Sequence, residues 1–249
     1  MPESKHPNDP YGDIGRAAAE AAGDDQPPPI PAATVVLLRD ADAGCEVLML
    51  RKTSKISFGG MWVFPGGRID AADYGGGDDV DAAARAAAAR ETQEEAGIIA
   101  SPEDFVWFAH WTPPPTTPKR FATWFFVAKA ASDAPIEVDG QEIDDHRWID
   151  PRQALERHAE GEIDLVPPTW VTLYQLTQLG SASAVLERLA GEPPRYYQTR
   201  LAKRADGVRV AMWHGDAGYD DWEADRQGPS HRLIMAPGGF VFEHSAAAY

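Results

Sequence analysis

The distribution of apolar residues along the chain predicts strands in its first two thirds. Short runs rich in Val, Leu and aromatic residues predict strands where Gly- or Pro-containing turns separate them. The strands predicted in this way are "ATVVLLRD" (33–40), "CEVLMLRK" (45–52), "MWVFPGG" (61–67), "DFVWFAHWT" (104–112), "RFATWFFVAKA" (120–130) and "DHRWID" (145–150). Because the first two are joined by a short turn with a glycine, they predict a hairpin.

Helical patterns occur once between these strands and again after them. The segment "DDVDAAARAAAARETQEEAG" (78–97) predicts one helix, with acids in its first turn, a run of alanines and a glycine to end it. Further helices are predicted at 151–161, 167–180 and 181–191, and strand-like alternation returns at 207–215 and 231–244. Strands around one helix, followed by more helices, indicate a mixed α/β layer architecture.

The length and composition allow one large domain, or a smaller domain with an extension. The chain has 249 residues, of which 43% are hydrophobic, enough for a sizeable core. Residues 1–30 are rich in Pro, Asp, Gly and Ala and predict a flexible arm. We expect a main domain over residues 31–180 and a C-terminal extension over residues 181–249 that packs on it.

The net charge narrows the class of partner. A formal charge of −16 argues against a nucleic-acid surface, which needs clustered Lys and Arg, and is compatible with cation binding. No apolar run approaches the roughly 20 residues of a membrane span, and the N-terminus lacks a signal pattern. We therefore expect a cytoplasmic protein that binds neither nucleic acid nor a membrane, and homodimer formation stays open.

The acidic end of the alanine-rich helix is the first candidate for chemistry. Glu91, Glu94 and Glu95 follow Arg90 at spacings that place the three glutamates within roughly 100° of one helix face. The ordinary alternative is a solvated face with one Arg–Glu pair. Against it, like charges four residues apart destabilise a helix. Three carboxylates on one rigid face suit Mg²⁺ or Mn²⁺.

Two motifs together resemble a known family. "RETQEEAGI" (90–98) is similar to the second half of the Nudix box, and "FPGGRID" (64–70) is similar to its first half. The resemblance implies the Nudix fold, an α/β architecture in which a mixed β-sheet is sandwiched between helices (α/β/α), here with a C-terminal extension. It also implies that Glu91, Glu94, Glu95 and the backbone carbonyl of Gly66 hold Mg²⁺ or Mn²⁺.

The resemblance further implies an activity. Nudix enzymes hydrolyse a diphosphate bond in a nucleoside diphosphate linked to another moiety, so the expected partner is a small nucleotide-type substrate. Arg90 would orient Glu91, and the general base would be Glu94 or the loop acid Glu142. Both candidates for the base stay open, as does an inactive Nudix-fold binding protein.

The sequence departs from the family's box in one place. The usual box has a further glutamate shortly before the arginine, but counting back from Arg90 reaches Ala82, with Asp81 beside it. About ten residues appear as an insertion after Gly67. Because this stretch is rich in glycine and acids, we expect residues 68–80 to form a surface loop.

Flanking segments resemble the coenzyme A-cleaving branch of the family. These are "LMLRKTSKISFGGMWVFPGG" (48–67) and "TPPPTTPKRFATWFFVA" (112–128). The resemblance suggests that basic residues before the glycine turn bind a substrate phosphate; solvation of the strand ends is the alternative for each. The candidates before the turn are Arg51, Lys52 and Lys55. Apart from the resemblance, Lys119 and Arg120 at the start of a later predicted strand could reach a phosphate, with solvation of the strand start as the alternative. ADP-ribose-like compounds and dinucleoside polyphosphates stay open as substrates.

Overall fold

The computed structural model describes residues 14–22, 27–42, 44–53, 59–130 and 135–249. The strands are β1 (Ile30–Ala41), β2 (Gly44–Lys52), β3 (Trp62–Val63), β4 (Gly66–Arg68), β5 (Val106–Thr112), β6 (Phe121–Lys129), β7 (Ile143–Ile149), β8 (Arg195–Gln198), β9 (Arg200–Lys203), β10 (Arg209–Met212), β11 (Arg232–Ala236) and β12 (Gly239–Glu243). The helices are α1 (Arg16–Ala22), α2 (Val80–Ala96), α3 (Pro151–Ala159), α4 (Pro167–Leu176) and α5 (Ala182–Ala190). Two short 3-10 helices lie at Ala71–Tyr74 and Pro102–Asp104.

A mixed sheet forms the centre of the molecule. Its strands run in the order β3-β2-β1-β6-β5-β8, with β4 also paired to β1 and β7 to β2. β1 and β2 form the predicted antiparallel hairpin, whereas β1 pairs with β6 in parallel. The predicted strand 61–67 is instead two short strands on either side of Pro65, because proline cannot donate a ladder hydrogen bond.

Helices cover both faces of this sheet. Along β1, Val35 and Leu37 belong to a core cluster that includes the alanines of α2. The alternate residues Val36 and Leu38 belong to a second cluster with side chains from α3, α4 and α5. Since successive side chains of a strand point to opposite faces, the sheet lies between two helical layers. The predicted mixed α/β/α architecture is confirmed.

The last fifty residues add a second sheet. Strands β9 to β12 form a four-stranded antiparallel sheet in the order β12-β11-β10-β9. Its Trp213 lies edge-on to Trp111 of β5, with ring centroids 5.5 Å apart, and Trp111 stacks on Tyr197 of β8 at 3.7 Å. The boundary at residue 180 between the main domain and the C-terminal extension stays a prediction. In the described ranges, no helix is both long and apolar enough to span a membrane.

Candidate active site

Helix α2 carries the acidic residues, and its sequence explains how close it lies to the sheet. Asp79 caps its N-terminus by accepting hydrogen bonds from the amides of Asp81 and Ala82, and Gly97 ends it at φ 69°. The side chains facing the sheet are small and fully buried: Ala83, Ala84, Ala87 and Ala88. Because alanine adds little thickness, the helix packs closely on β1 and β4, and its glutamates reach the glycine turn.

The three glutamates differ strongly in exposure. The Glu95 side chain is 5% exposed, Glu91 is 17% exposed and Glu94 is 59% exposed. Burial raises the pKa of Glu95 to about 7, although Lys52 and the Gly66 amide favour its charged form. Burial also raises the pKa of Glu91, against the stabilising hydrogen bond from Arg90. The site is therefore deepest at Glu95 and opens to solvent at Glu94.

The glycine turn lies directly against two of these carboxylates. The amide of Gly66 donates to Glu95 Oε2 at 2.9 Å. At Gly67, a Cβ atom would lie 2.5 Å from Glu91 Cδ, so only glycine leaves space for that carboxylate. β4 is held in place by antiparallel pairing of Gly66 with Thr34 of β1. The structure thus brings residues from the two halves of the motif together.

Arg90 links the helix to the loop after the glycine turn. Its Nε and Nη2 donate to the two carboxylate oxygens of Asp73 at 3.0 and 3.1 Å. Its Nη1 donates to Glu91 at 2.8 Å and to Glu94 at 3.0 Å, and Nη2 also donates to the carbonyl of Arg68. One guanidinium therefore fixes two glutamates and the loop, using the bidentate geometry that arginine favours.

Asp73 is a site residue that the sequence reasoning missed. Its carboxylate is 5% exposed. Burial tends to raise its pKa, but the hydrogen bonds from Arg90 and the Asp70 amide hold the pKa below its ordinary value. Counting back from Arg90 pointed to Ala82 and Asp81, and Asp81 instead accepts a hydrogen bond from Trp124 Nε1. Counting forward from Gly67 would have found Asp73, six residues later.

Glu142 approaches the same cluster from the loop before β7. Its carboxylate Oε2 lies 3.9 Å from Lys52 Nζ, and the same nitrogen lies 3.6 Å from Glu95 Oε1. The loop is anchored because the amide of Thr53 donates to the Glu142 carbonyl at 2.8 Å. The structure therefore places Glu142 beside the helix glutamates, with a lysine between them.

The other basic candidates lie in different surroundings. Arg51 donates from Nε to Asp144 at 2.6 Å, and both side chains are about two fifths exposed. Lys55 lies outside the described residues. Arg120 precedes β6, where its carbonyl accepts a hydrogen bond from the Ile30 amide, and Lys119 lies over the Phe121 ring at 5.1 Å. Their roles toward a substrate stay predictions.

The donor atoms suit a hard divalent cation. Glu95 Oε1 is buried and accepts no hydrogen bond from the part of the chain that the structure describes. Carboxylate oxygens are the ligands that Mg²⁺ and Mn²⁺ prefer. No three acidic, His or Cys side chains of the described ranges already form a ligand set. The residues therefore fit a metal, provided that the glutamates turn from Arg90 and Lys52 toward it.

The chain is similar to known proteins of one family. A family model described as a NUDIX domain matches residues 28–168, more than half of the chain. The sequence is 30% identical over 96 residues to phosphatase NudJ of Escherichia coli K12, covering 39% of this chain and 56% of that protein. The chain spans 55% and 56% of the length of two curated relatives that it matches.

A solved structure shares the fold. The crystal structure of a NUDIX hydrolase from Alicyclobacillus acidocaldarius superposes with a TM-score of 0.61 at 26% sequence identity. The match covers 68% of this chain and all of that one. The mixed sheet and its flanking helices are therefore an arrangement already seen in a solved protein.

Proposed function

Because this chain belongs to the Nudix hydrolase family, we propose that it hydrolyses a diphosphate linkage in a nucleoside diphosphate joined to another group. Water adds to one phosphorus atom, the bridging P–O bond breaks, and two phosphate-bearing products leave. The observation that carries the proposal is the convergence of the Gly66–Gly67 turn, Glu91 and Glu95 on one side of α2. Hydrolysis of a bond to phosphate is also consistent with the similarity to a protein named as a phosphatase.

The residues have distinct parts in this proposal. Glu91, Glu94 and Glu95, with the Gly66 carbonyl, would hold Mg²⁺ or Mn²⁺, which supplies neutralisation of phosphate charge and a more acidic water when bound. The Gly66 amide orients Glu95, and Arg90 orients Glu91 and Glu94. The exposed carboxylates of Glu94 and Glu142 face solvent, so each can accept the proton of the attacking water.

The first prediction concerns the reaction itself. With Mg²⁺ present, we expect the purified protein to release phosphomonoester products from at least one of CoA, ADP-ribose and a dinucleoside polyphosphate, and we expect EDTA to abolish the release. Chromatography coupled to mass spectrometry, after reaction in ¹⁸O-labelled water, would show which product carries the label and so identify the phosphorus attacked. If the protein binds these compounds with Mg²⁺ present but cleaves none of them, the alternative of a binding or regulatory protein is favoured.

We also propose that Asp73 takes the part of the glutamate that the box otherwise places before the arginine, and that the inserted residues follow Asp73. Its bidentate contact with Arg90 supports this. Residues 75–79 are exposed, and Gly75 and Gly76 have positive φ. A loop of this kind lengthens the chain without moving the helix.

The second prediction tests Asp73. Asp73→Ala is expected to lower kcat by about tenfold, because Arg90 loses the partner that fixes its guanidinium and so orients Glu91 less well. Asp78→Ala, which removes an exposed acid of the same loop, is the matched control and should stay within about twofold of wild type. Equal activity of both variants would show that Asp73 does not position Arg90.

For the substrate, we propose CoA or an acyl-CoA. CoA carries a 3′-phosphate that needs a cation, and Arg51 is an arginine at the end of β2, two fifths exposed. Arginine binds phosphate through charge-assisted hydrogen bonds. The carboxylate of Asp144, which Arg51 contacts, would have to be exchanged for the phosphate.

The third prediction decides this point. Wild type is expected to cleave CoA with a kcat/KM about tenfold above that for 3′-dephospho-CoA, and Arg51→Ala is expected to remove the difference, since one charge-assisted hydrogen bond is lost. Arg39→Ala, which removes a cation paired with Glu46 on the neighbouring strand, is the control. Equal cleavage of the two substrates by wild type, or cleavage of ADP-ribose alone, would contradict the CoA proposal and leave the diphosphatase chemistry standing.

A further inference from the structure

Lys52 is a positively charged side chain that lies between two carboxylates of the candidate active site, those of Glu95 and Glu142. On β2, Leu48 and Leu50 belong to the cluster beneath α2, and Lys52 follows them toward the same face. Its Nζ lies 3.6 Å from Glu95 Oε1 and 3.9 Å from Glu142 Oε2. These distances are those of ion pairs and exceed a good hydrogen bond. The ammonium therefore bridges two acids that the proposed function assigns to the site.

The backbone holds Lys52 in this position from both sides. Its amide donates to the Met61 carbonyl at 3.0 Å, and its carbonyl accepts from the Gly60 amide at 2.8 Å. The next residue, Thr53, donates from its amide to the carbonyl of Glu142 and from its hydroxyl to that of Gln141. Only 16% of the Lys52 side chain is exposed. The fold thus fixes the backbone from which the largely buried Lys52 side chain extends to Glu95.

The Asp139 carboxylate holds the loop that carries Glu142, the second acid beside Lys52. It accepts hydrogen bonds from the backbone amides of Gln141, Glu142 and Ile143 at about 3 Å. These bonds fold the loop into a tight turn that directs it toward the end of β2. Glu142 therefore reaches Lys52 from a structured loop.

The charges explain why this arrangement matters for cation binding. Glu95 Oε1 is the buried carboxylate oxygen left without a hydrogen bond in the described part of the chain, and Lys52 Nζ is an opposite charge close to it. A divalent cation at Glu95 would stand close to the ammonium, and like charges at such distances repel strongly where water is largely excluded. A metal and Lys52 therefore compete for the same oxygen.

We propose that Lys52 competes with the divalent cation for Glu95. The Lys52 ammonium neutralises Glu95 and Glu142, and it must leave Glu95 before a metal binds there. Lys52 thereby sets the metal concentration at which the site fills. This inference rests on the metal site of the proposed function, and it concerns affinity in the absence of any substrate.

The test measures Mn²⁺ binding directly, by electron paramagnetic resonance of free Mn²⁺, on the full chain without substrate. Lys52→Met keeps the length of the side chain and removes its charge, and it is expected to lower the Kd for Mn²⁺ by at least about tenfold. Lys52→Arg keeps the charge and should bind Mn²⁺ within about threefold of wild type. Lys129→Met is the matched control, because it removes a lysine that is paired with Asp40 on the surface.

A second readout separates competition from a structural role. Without metal, Lys52→Met leaves the buried Glu95 carboxylate with no ammonium beside it, which destabilises the fold. The Tm of this variant should therefore be lower than that of wild type. Added Mn²⁺ should raise the Tm of the variant by more than it raises the Tm of wild type. If Lys52→Met does not remain folded without metal, Lys52→Gln replaces it in both measurements.

The outcomes are distinguishable. An unchanged or weaker Mn²⁺ affinity in folded Lys52→Met or Lys52→Gln, while wild type binds Mn²⁺ and Glu95→Gln does not, would overturn the competition and leave the metal site in place. If wild type and Glu95→Gln bind Mn²⁺ equally, the metal site of the proposed function itself fails.

Discussion

Glu95→Gln is expected to lower kcat by at least about a hundredfold while the protein stays folded. Glu95 is the most buried of the three glutamates, and its Oε1, which accepts no hydrogen bond in the described residues, is the donor best placed for a cation. The amide loses the charge at the point where phosphate charge must be neutralised. The exposed Glu94 is expected to show a comparable loss as Glu94→Gln. Initial rates at saturating Mg²⁺, with the substrate found in the product screen, measure both effects.

The stability of the Glu95→Gln variant is the control for this prediction, because a lost activity must not come from unfolding. Burial disfavours the charged form of Glu95, so a neutral amide removes that cost, but it also removes the partner of the Lys52 ammonium. Because these two effects oppose each other, the metal-free variant should stay folded with a Tm close to that of wild type. Glu46→Gln, a change of the same kind in the pair with Arg39, should keep full activity. Near-normal rates in both site variants would refute the metal assignment.

Gly67→Ala is expected to lower kcat by about thirtyfold or more, because it displaces a carboxylate and not because it removes one. The added methyl group would overlap the carboxylate of Glu91. The carboxylate is the end of a flexible side chain, so it can move aside and the fold survives. A displacement of about 1 Å at a catalytic group is enough for a loss of this size. Rates and Mn²⁺ affinity should therefore fall together, with little change in Tm.

The neighbouring glycine provides the contrast. At Gly66, a Cβ would lie 2.7 Å from Thr34 Cα, and the backbone φ is 156°. Backbone cannot move aside without opening the pairing of β4 with β1, so Gly66→Ala should lower Tm by several degrees. Gly77→Ala, where the nearest atom is an ordinary 3.5 Å away, is the neutral control. If Gly67→Ala keeps normal rates, Glu91 does not need its present position.

The sequence predicted those parts of the site that depend on local pattern. The alanine-rich helix, its glycine end and the spacing of Glu91, Glu94 and Glu95 follow from a 3.6-residue period, and α2 has the expected bounds within two residues. The β1–β2 hairpin follows from two apolar runs and a short turn. The strand β8 could not be predicted in this way, because four residues with little alternation pair in parallel with β5, far away in sequence.

Two residues show why the remainder of the site was not predicted. Asp73 was missed because it lies 17 residues before Arg90, a separation that no helical or strand period connects. Lys52 was treated as one of several strand-end cations, because both faces of β2 carry apolar residues and the alternation does not tell which face the glutamates approach. Only the tertiary structure distinguishes Lys52 beside Glu95 from Arg51 beside Asp144.

The alanine face of α2 has a consequence for how this protein can change over evolution. Ala84 and Ala87 have no exposed surface against the sheet, so a larger side chain there would lift the helix and carry every glutamate with it. Overpacking of this kind costs roughly 1–3 kcal/mol in stability, and the change in geometry would cost activity as well. We expect libraries of variants to be depleted of larger residues at these alanines, while the exposed residues 75–79 accept substitutions.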